Sequence, residues 1–233
     1  MSTTTSNANA TIPVWSLGWG GIGTIANDAL PDGSTVLSQI QALRAIGGNV
    51  IISFGGSAGT DPAVAATSAA SLQAEYQSVI DRYGVTSLDF DIEGAAIANQ
   101  ASINLRDQAL VGLEAANPGL QISCTLPVLP TGLDQNGMNF IHSAVKAGLH
   151  IGVINIMATD YGSAVDHGGA MGTDAIDAIK ATESQLVSPR RARGCGAPAA
   201  ASSKAREIPR SPGRSNFSRL LSGIRNPVHH TCA

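Results

Sequence analysis

The feature that most constrains the fold is a repeated alternation of short apolar runs with longer amphipathic stretches across residues 12–186. The apolar runs are rich in β-branched residues and have the length of strands, whereas the stretches between them have the period of helices. Gly, Pro and Asn stand at the junctions, where helices end and turns begin. Strands that alternate with helices at a spacing of roughly 35 residues indicate parallel βα units. The sequence therefore predicts an α/β fold, either a doubly wound sheet or a (β/α)8 barrel of the TIM type.

The pattern predicts five strands, at residues 12–18, 49–54, 86–93, 120–128 and 151–161. It also predicts five helices, at residues 34–46, 61–83, 102–117, 139–147 and 173–186. Ser34 and Asp61 are the expected N-caps, and Pro62 suits the first helical turn. A closed barrel needs eight units, typically in about 250 residues, so we expect a partial barrel of about five or six units.

Charge divides the chain near residue 187. Residues 1–186 hold 5 basic and 16 acidic side chains, whereas residues 187–233 hold 9 basic side chains and 1 acidic one. The acidic excess excludes a nucleic-acid partner for the folded part. The last segment is rich in Pro, Ser, Ala, Gly and Arg without apolar periodicity, which predicts a disordered tail or a basic arm for acidic partners. We therefore expect a flexible N-terminus at 1–11, a folded domain at 12–186 and a disordered tail at 187–233.

Other patterns exclude further classes of protein. No apolar run is long enough to span a membrane, and the first ten residues lack the basic and apolar regions of a secretory signal. The segment Gly-Trp-Gly-Gly-Ile-Gly at 18–23 fits a dinucleotide fingerprint, but no helix is predicted directly after it and the next strand ends in Ser-Phe-Gly-Gly rather than in an acid. We therefore expect neither a nucleotide cofactor nor a metal, and we expect a monomer.

Three carboxylates alternate with three large apolar residues between Ser87 and Gly94. With the period of a strand, Asp89, Asp91 and Glu93 share one face, opposite the apolar residues. Same-face neighbours lie about 6–7 Å apart, so three ionised groups repel and at least one pKa rises. We expect Glu93 to keep its proton near neutral pH and to act as a general acid. The alternatives are a solvated polar face of an edge strand and a calcium or magnesium site.

These segments together resemble the family 18 glycoside hydrolases, the chitinase-like enzymes. The active-site strand of that family follows Asp-x-x-Asp-x-Asp-x-Glu, and residues 86–93 match three of its four acids, with Thr86 in place of the first. That first acid lies deepest in the family and tunes the acids above it. The segment Val-Ile-Ile-Ser-Phe-Gly-Gly at 50–56 is similar to the family's Ser-x-Gly-Gly strand, and Ile-Asn-Ile-Met-Ala-Thr-Asp-Tyr-Gly at 154–162 is similar to its later strand carrying Met, Asp and Tyr. The resemblance covers residues 12–186 and implies a partial barrel.

The resemblance implies hydrolysis of β-1,4 bonds in chitin or related N-acetylglucosamine polymers by a retaining, substrate-assisted mechanism. Glu93 would protonate the leaving oxygen and then activate water. Asp91 would hold the acetamido N–H and stabilise the oxazolinium-like intermediate, while Asp89 would modulate Asp91. Tyr161 would hold the acetamido oxygen. This mechanism calls for no metal or organic cofactor.

The resemblance also implies substrate-binding roles for Met157, Asp160 and Trp19. Strand alternation places Met157 and Tyr161 on one face, which favours Tyr161 over Asp160 as the inward side chain. Trp19 would stack on a sugar ring, and burial in the core is its alternative.

Two alternatives to hydrolysis remain open at the level of sequence. The first is a non-catalytic, lectin-like protein that binds chitin or another glycan, although such relatives usually replace the last acid of the motif and Glu93 is present. The second is an inactive, truncated barrel. Because members of the family are mostly secreted, an extracellular location is expected despite the lack of a visible signal.

Overall fold

The computed structural model describes residues 2–5, 15–19, 22–25, 28–57, 59–162, 165 and 168–192, with side chains described for residue 25 and, within these ranges, from 28 to 187. The strands are β1 (Ser2–Thr5), β2 (Trp15–Trp19), β3 (Ile22–Thr24), β4 (Ile52–Gly55), β5 (Ser87–Asp91), β6 (Gln121–Pro127) and β7 (Val153–Met157). The helices are α1 (Val36–Ala45), α2 (Pro62–Ala65), α3 (Ala69–Tyr83), α4 (Gln100–Ala116), α5 (Gln135–Ala147) and α6 (Met171–Ala192), with a short 3-10 helix at Gly94–Ala98.

Four of the strands form a parallel sheet in the order β4, β5, β6, β7. Helices follow each of these strands along the chain, so the predicted alternation of parallel strands with helices is confirmed for four of the five predicted strands. The strand predicted at 12–18 corresponds to β2, which lies instead in an antiparallel sheet between β1 and β3. Parallel neighbours need a crossover connection, and helices α3, α4 and α5 supply the three crossovers. The carboxyl ends of the four strands therefore lie along one edge of the sheet.

The core lies between the apolar face of this sheet and the helices. Leu88, Phe90 and Ile92 have no exposed surface, and they belong to one buried cluster that includes side chains of α3, α4 and α5. At its centre Phe54 of β4 lies 5.3 Å from Phe90 and 4.7 Å from Tyr76 of α3, measured between ring centroids. Tilted and offset ring pairs at these distances are favourable packing arrangements. Packing of its apolar face against the helices therefore holds the sheet in place, and polar residues occupy the other face.

Two helix starts differ from their predicted positions. Helix α1 is capped by Thr35, whose hydroxyl accepts from the Ser38 N–H at 3.0 Å, rather than by Ser34. The helix predicted at 61–83 is two helices, because the chain becomes extended at Ala66 and Ser68 then caps α3. The cap predicted at Asp61 is confirmed, since its carboxylate accepts from the Ala63 N–H at 3.2 Å and Pro62 opens the helix.

The chain termini also differ from prediction. Ser2–Thr5 lie in a strand that pairs with β2, where we expected a flexible segment, and the β-branched threonines favour that conformation. Strand β3 follows β2 at the position where a dinucleotide fingerprint would begin its helix. Helix α6 continues to Ala192, into the predicted tail, and the Gln185 side chain bonds the Leu133 backbone at 2.9 Å on both its N–H and C=O. The remainder of the predicted tail, 193–233, lies outside the described residues.

None of the described helices combines the length and the apolar character needed to cross a membrane.

An ion pair between Asp61 and Arg106 is buried beside the sheet. Arg106 on α4 has no exposed surface and Asp61 is 5% exposed. The guanidinium also lies 5.4 Å from the ring centroid of Phe140 on α5. A buried charge is tolerated when a partner and hydrogen bonds compensate for its lost hydration. The pair therefore links α2 to the helical layer that supports the sheet.

Replacing Asp61 with Asn tests this link. Asn retains the N-cap function but leaves the Arg106 charge buried without a counterion. We expect Asp61→Asn to lower the free energy of unfolding by about 3–5 kcal/mol, measured by urea denaturation. Asp177→Asn is the matched control, because Asp177 pairs with Lys180 at 3.8 Å on an exposed helix surface, and it should change stability little. Equal effects of the two substitutions would show that the buried pair is not special.

Candidate active site

The three acids lie at the carboxyl end of β5, on the face opposite Leu88 and Phe90. All three are partly exposed, whereas their apolar neighbours are fully buried, so the predicted division of the two faces is confirmed. The strand ends at Asp91, two residues earlier than predicted. Gly94 has a left-handed φ of +56°, and Glu93 stands at the N-cap of the 3-10 helix without making a side-chain capping bond. Glu93 is therefore presented from a turn at the sheet edge, where active sites of βα barrels gather.

Asp89 is held by hydroxyl groups from both neighbouring strands. Ser53 Oγ of β4 donates to Asp89 Oδ2 at 2.8 Å, and Ser123 Oγ of β6 donates to Oδ1 at 2.6 Å. Thr125 Oγ1 of β6 lies 3.1 Å from Oδ1 and 3.0 Å from Oδ2. Hydrogen bonds donated to a carboxylate favour its charged form. The arrangement suits Asp89 to be a fixed negative charge rather than a mobile catalytic group.

Asp91 has a strongly raised pKa. Burial of its carboxyl is the largest cause, followed by the negative charges of Glu93 and Asp89, and together they raise the pKa of Asp91 to about 7. Its Oδ1 atom is buried and has no hydrogen-bond partner among the described groups. A hydrogen bond with the Glu93 carboxyl is a further, smaller cause of the raised pKa of Asp91, and such a bond requires a proton on one of the two carboxyls. The expectation that crowding raises at least one pKa is confirmed, and the raised pKa is that of Asp91.

Gly55 fixes the position of the strand end. It lies beside Asp91 in the sheet register, and its φ of +104° is in the left-handed region. A Cβ at this position would lie 2.1 Å from the Asp91 carbonyl oxygen, so no side chain fits. The next residue, Gly56, donates its N–H to the same carbonyl at 2.9 Å. The close approach of the backbone at Gly55 therefore explains the paired glycines after Ser53 and Phe54.

Thr86 lies outside the acid row. It is exposed, it precedes β5, and its carbonyl accepts from the Gln121 N–H at 2.9 Å. Thr86, which stands where the family carries its first acid, therefore does not join the acid row in this chain. Thr86 precedes Asp89 by three positions, an odd step along a strand, which turns its side chain away from the acid face.

The later predicted site residues are divided between two environments. Met157 is the last residue of β7, beside Pro127 in register, and it is partly buried. Asp160 is exposed, with a left-handed φ of +51° that Asp tolerates better than most residues. Tyr161 is 8% exposed and packs in a second cluster with Val128 and Ala178.

The environment of Tyr161 differs from the one that strand alternation predicts. Strand β7 ends at Met157, whereas the prediction extended it to residue 161. Strand alternation therefore does not place Tyr161 on the same face as Met157. Burial and the negative charge of Asp174 on α6 raise the pKa of Tyr161. The described surroundings of Tyr161 therefore combine residues of α6 with Val128 and with Ile156 of β7. For Trp19 the structure describes the backbone, at the end of β2, and its predicted stacking role lies outside the described side chains.

Sequence reasoning missed the polar residues that surround the acids. Ser123 and Thr125 alternate with buried Ile122 and Cys124 along β6, which is the same period of two that marks the acid strand. Asn155 of β7 extends this polar row, since its Nδ2 donates to Thr125 Oγ1 at 3.2 Å. The alternation in β6 was visible in the sequence and is the signal that would have found the first two. Within the described ranges, no group of three or more His, Cys, Asp or Glu side chains is arranged to hold a metal ion.

Comparison with known proteins gives two curated relatives. Over 163 residues, 68% of this chain, it is 34% identical to a probable bifunctional chitinase/lysozyme of Escherichia coli (strain K12), covering 17% of that protein. Over 132 residues, 55% of this chain, it is 37% identical to endochitinase 11 of Metarhizium anisopliae, covering 25% of that protein. No family model matches the chain.

The fold gives the same relationship. The catalytic domain of a hyperthermophilic chitinase from Pyrococcus furiosus superposes with a TM-score of 0.60 at 30% identity, over 72% of this chain and 54% of that one. The chain is a chitinase homologue over part of its length. Catalytic-site mutants of active domain 2 of a chitinase from the same organism also match, with a TM-score of 0.60 at 29% identity. The homologous chain spans about a sixth to a quarter of the length of its curated relatives and about half of the Pyrococcus domain.

The raised pKa of Asp91 predicts a pH dependence of stability in this homologue. A carboxyl whose folded pKa is about 7 binds its proton in the native state while the unfolded chain has released it above the ordinary value of 3.8. The contribution of Asp91 therefore reduces stability as the pH rises from its unfolded pKa to its folded pKa. We expect Asp91→Asn to raise the melting temperature by a few degrees at alkaline pH and to have little effect in acid, measured by differential scanning fluorimetry. Asp177→Asn, on the exposed surface, should show no such pH dependence.

Proposed function

We propose that this chain hydrolyses β-1,4 glycosidic bonds in chitin or related N-acetylglucosamine polymers. The observation that carries the proposal is the proton that Asp91 and Glu93 can share at the carboxyl edge of a parallel sheet, with the pKa of Asp91 near 7. Homology supports it, since the relatives are named as chitinases and one Pyrococcus structure was complexed with chito-oligosaccharides. A proton donor for a glycosidic oxygen needs a carboxyl that stays protonated near neutral pH.

In the proposed mechanism, Glu93 transfers its proton to the glycosidic oxygen as the bond to the anomeric carbon breaks. The acetamido oxygen of the same sugar forms the new bond to that carbon, with retention after the second step. Asp91 accepts the acetamido N–H and stabilises the positive charge of the oxazolinium-like intermediate. Asp89 keeps a negative charge beneath Asp91. Glu93 then removes a proton from the water that opens the intermediate.

The remaining substrate contacts follow the same model. We assign Tyr161 to the acetamido oxygen, and Met157, Asp160 and Trp19 to the walls of the sugar site. The tyrosine assignment requires the Tyr161 hydroxyl to turn from the second cluster toward the sugar. We further propose that the four-stranded parallel sheet is part of a (β/α)8 barrel, with residues 12–186 as its domain and a separate tail beyond α6.

Replacing Glu93 tests the proposed chemistry. Glu93→Gln retains the shape of the side chain but removes the transferable proton, so the rate of release from a fluorogenic chitobioside should fall by about 10²–10⁴-fold. Glu183→Gln is the matched control, because Glu183 lies exposed on α6, and it should retain the full rate.

The same measurement distinguishes the alternatives. Binding of chito-oligosaccharides without any release would indicate a glycan-binding protein. Absence of both, with circular dichroism of a loosely folded chain, would indicate an inactive fragment. Hydrolysis that survives Glu93→Gln would remove Glu93 from the mechanism.

The shared proton also predicts how hydrolysis depends on pH. Because the pKa of Asp91 is about 7, Asp91 loses its proton as the pH rises through that value, and no proton is then left for it to share with Glu93. We expect kcat/KM to fall on the alkaline side of about pH 7, since this ratio reports ionisations of the free enzyme. A kcat/KM that stays constant from about pH 5 to about pH 9 would contradict the proposed proton donor.

A further inference from the structure

Asn155 is joined to the acid row through a second strand. In the sheet register, Asn155 of β7 lies beside Thr125 of β6, which in turn lies beside Asp91 of β5. Asn155 Nδ2 donates to Thr125 Oγ1 at 3.2 Å. Thr125 Oγ1 lies 3.0 and 3.1 Å from the two carboxylate oxygens of Asp89. The three side chains form a continuous hydrogen-bonded chain from the exposed strand β7 to the acid strand.

The direction of this chain follows from the donors available. A threonine hydroxyl has one proton and two lone pairs, whereas an amide nitrogen can only donate. The Asn155 N–H therefore occupies a lone pair of Thr125 Oγ1 and leaves the hydroxyl proton directed at Asp89. An ionised carboxylate accepts only, so each bond in the chain has one donor and one acceptor.

We propose that Asn155 is a positioning residue, which acts through Thr125 to hold Asp89 as a charged carboxylate beneath the proton-sharing pair. This inference rests on the proposed hydrolase function. Among the described residues, the Asn155 side chain bonds Thr125 rather than an acid, so its effect passes through the orientation of one hydroxyl. Hydrogen bonds in a connected polar network strengthen one another. The exposed amide of Asn155 can therefore affect the partly buried carboxylate of Asp89.

Asn155 would influence catalysis by changing how the charged side chains around Asp91 affect the pKa of Asp91. Glu93 and Asp89 both raise the pKa of Asp91. The flanking strands present Gly55 from β4 and Thr125 from β6 at its level, and neither titrates in this range. With fewer hydrogen bonds to offset it, the negative charge of Asp89 acts more strongly on Asp91 and raises the pKa of Asp91 further.

The experiment measures kcat, KM and their pH profiles on the fluorogenic chitobioside for Asn155→Ala, Thr125→Val and the double variant. We expect Asn155→Ala to lower kcat about three- to tenfold, the size of one neutral hydrogen bond, with KM changed less than about twofold. The alkaline limb of its pH profile should move to higher pH, because the pKa of Asp91 rises. In the Thr125→Val background, Asn155→Ala should cause no further loss of kcat, because the Thr125 hydroxyl that connects Asn155 to Asp89 is absent. Thr125→Ser should keep more of the rate than Thr125→Val, and Asn139→Ala, at an exposed site on α5, should match the unmodified chain.

Three results would overturn the proposal. The effects of Asn155→Ala and Thr125→Val could multiply in the double variant, Asn155→Ala could raise KM at constant kcat, or it could match Asn139→Ala. If the unmodified chain hydrolyses nothing, the proposed function fails, and ¹³C NMR titration of the aspartate carboxyls decides the positioning role separately. A higher Asp91 pKa in Asn155→Ala supports it, and an unchanged or lower one overturns it. Should Thr125→Val not fold, Asn155→Ala at its exposed position still gives this answer.

Discussion

The carboxylate of Asp89 and its three hydroxyl donors are the constraint on which the rest of the site depends. A charged group on a sheet face is stable there when hydrogen bonds replace its lost hydration. Ser53, Ser123 and Thr125 provide those bonds from the strands on both sides. They tie β4, β5 and β6 together on the polar face as the aromatic cluster does on the apolar face. The negative charge so held is also one of the causes of the raised pKa of Asp91.

Backbone contacts from both neighbouring strands also fix the carboxyl end of β5. Gly55 brings β4 against the Asp91 carbonyl, and the Ile92 N–H donates to the Thr125 carbonyl at 3.1 Å from the other side. Both flanking strands therefore hold the peptide units around Asp91, and Gly94 then turns the chain. Glu93 leaves the strand with its side chain unused as a helix cap. The backbone path around Asp91 and Glu93 therefore helps to bring the two side chains close together.

Much of this architecture was predictable because it depends on local period and local steric rules. The alternation in residues 87–93 fixed both faces of β5, and Asp61 with Pro62 predicted the start of α2. Other features depend on contacts between distant segments. They are the break at Ala66, the end of β5 before Glu93 and the burial of Tyr161 beside α6. The hydroxyls of β6 were missed for another reason. Ser and Thr carry no charge, and their role appears when the register places them beside an acid.

The electrostatics of the acid pair come from strands β4 to β6, all of them within the described sheet. Burial, Glu93 and Asp89 raise the pKa of Asp91, and the groups that orient Asp89 lie on β4 and β6. A sugar polymer, by contrast, needs walls on several sides, because ligand sites are concave and bury most of the ligand surface. The Pyrococcus domain is about twice the length of the part that matches here. Proton sharing and substrate binding therefore depend on different parts of the fold, and a four-stranded sheet suffices for the first of them.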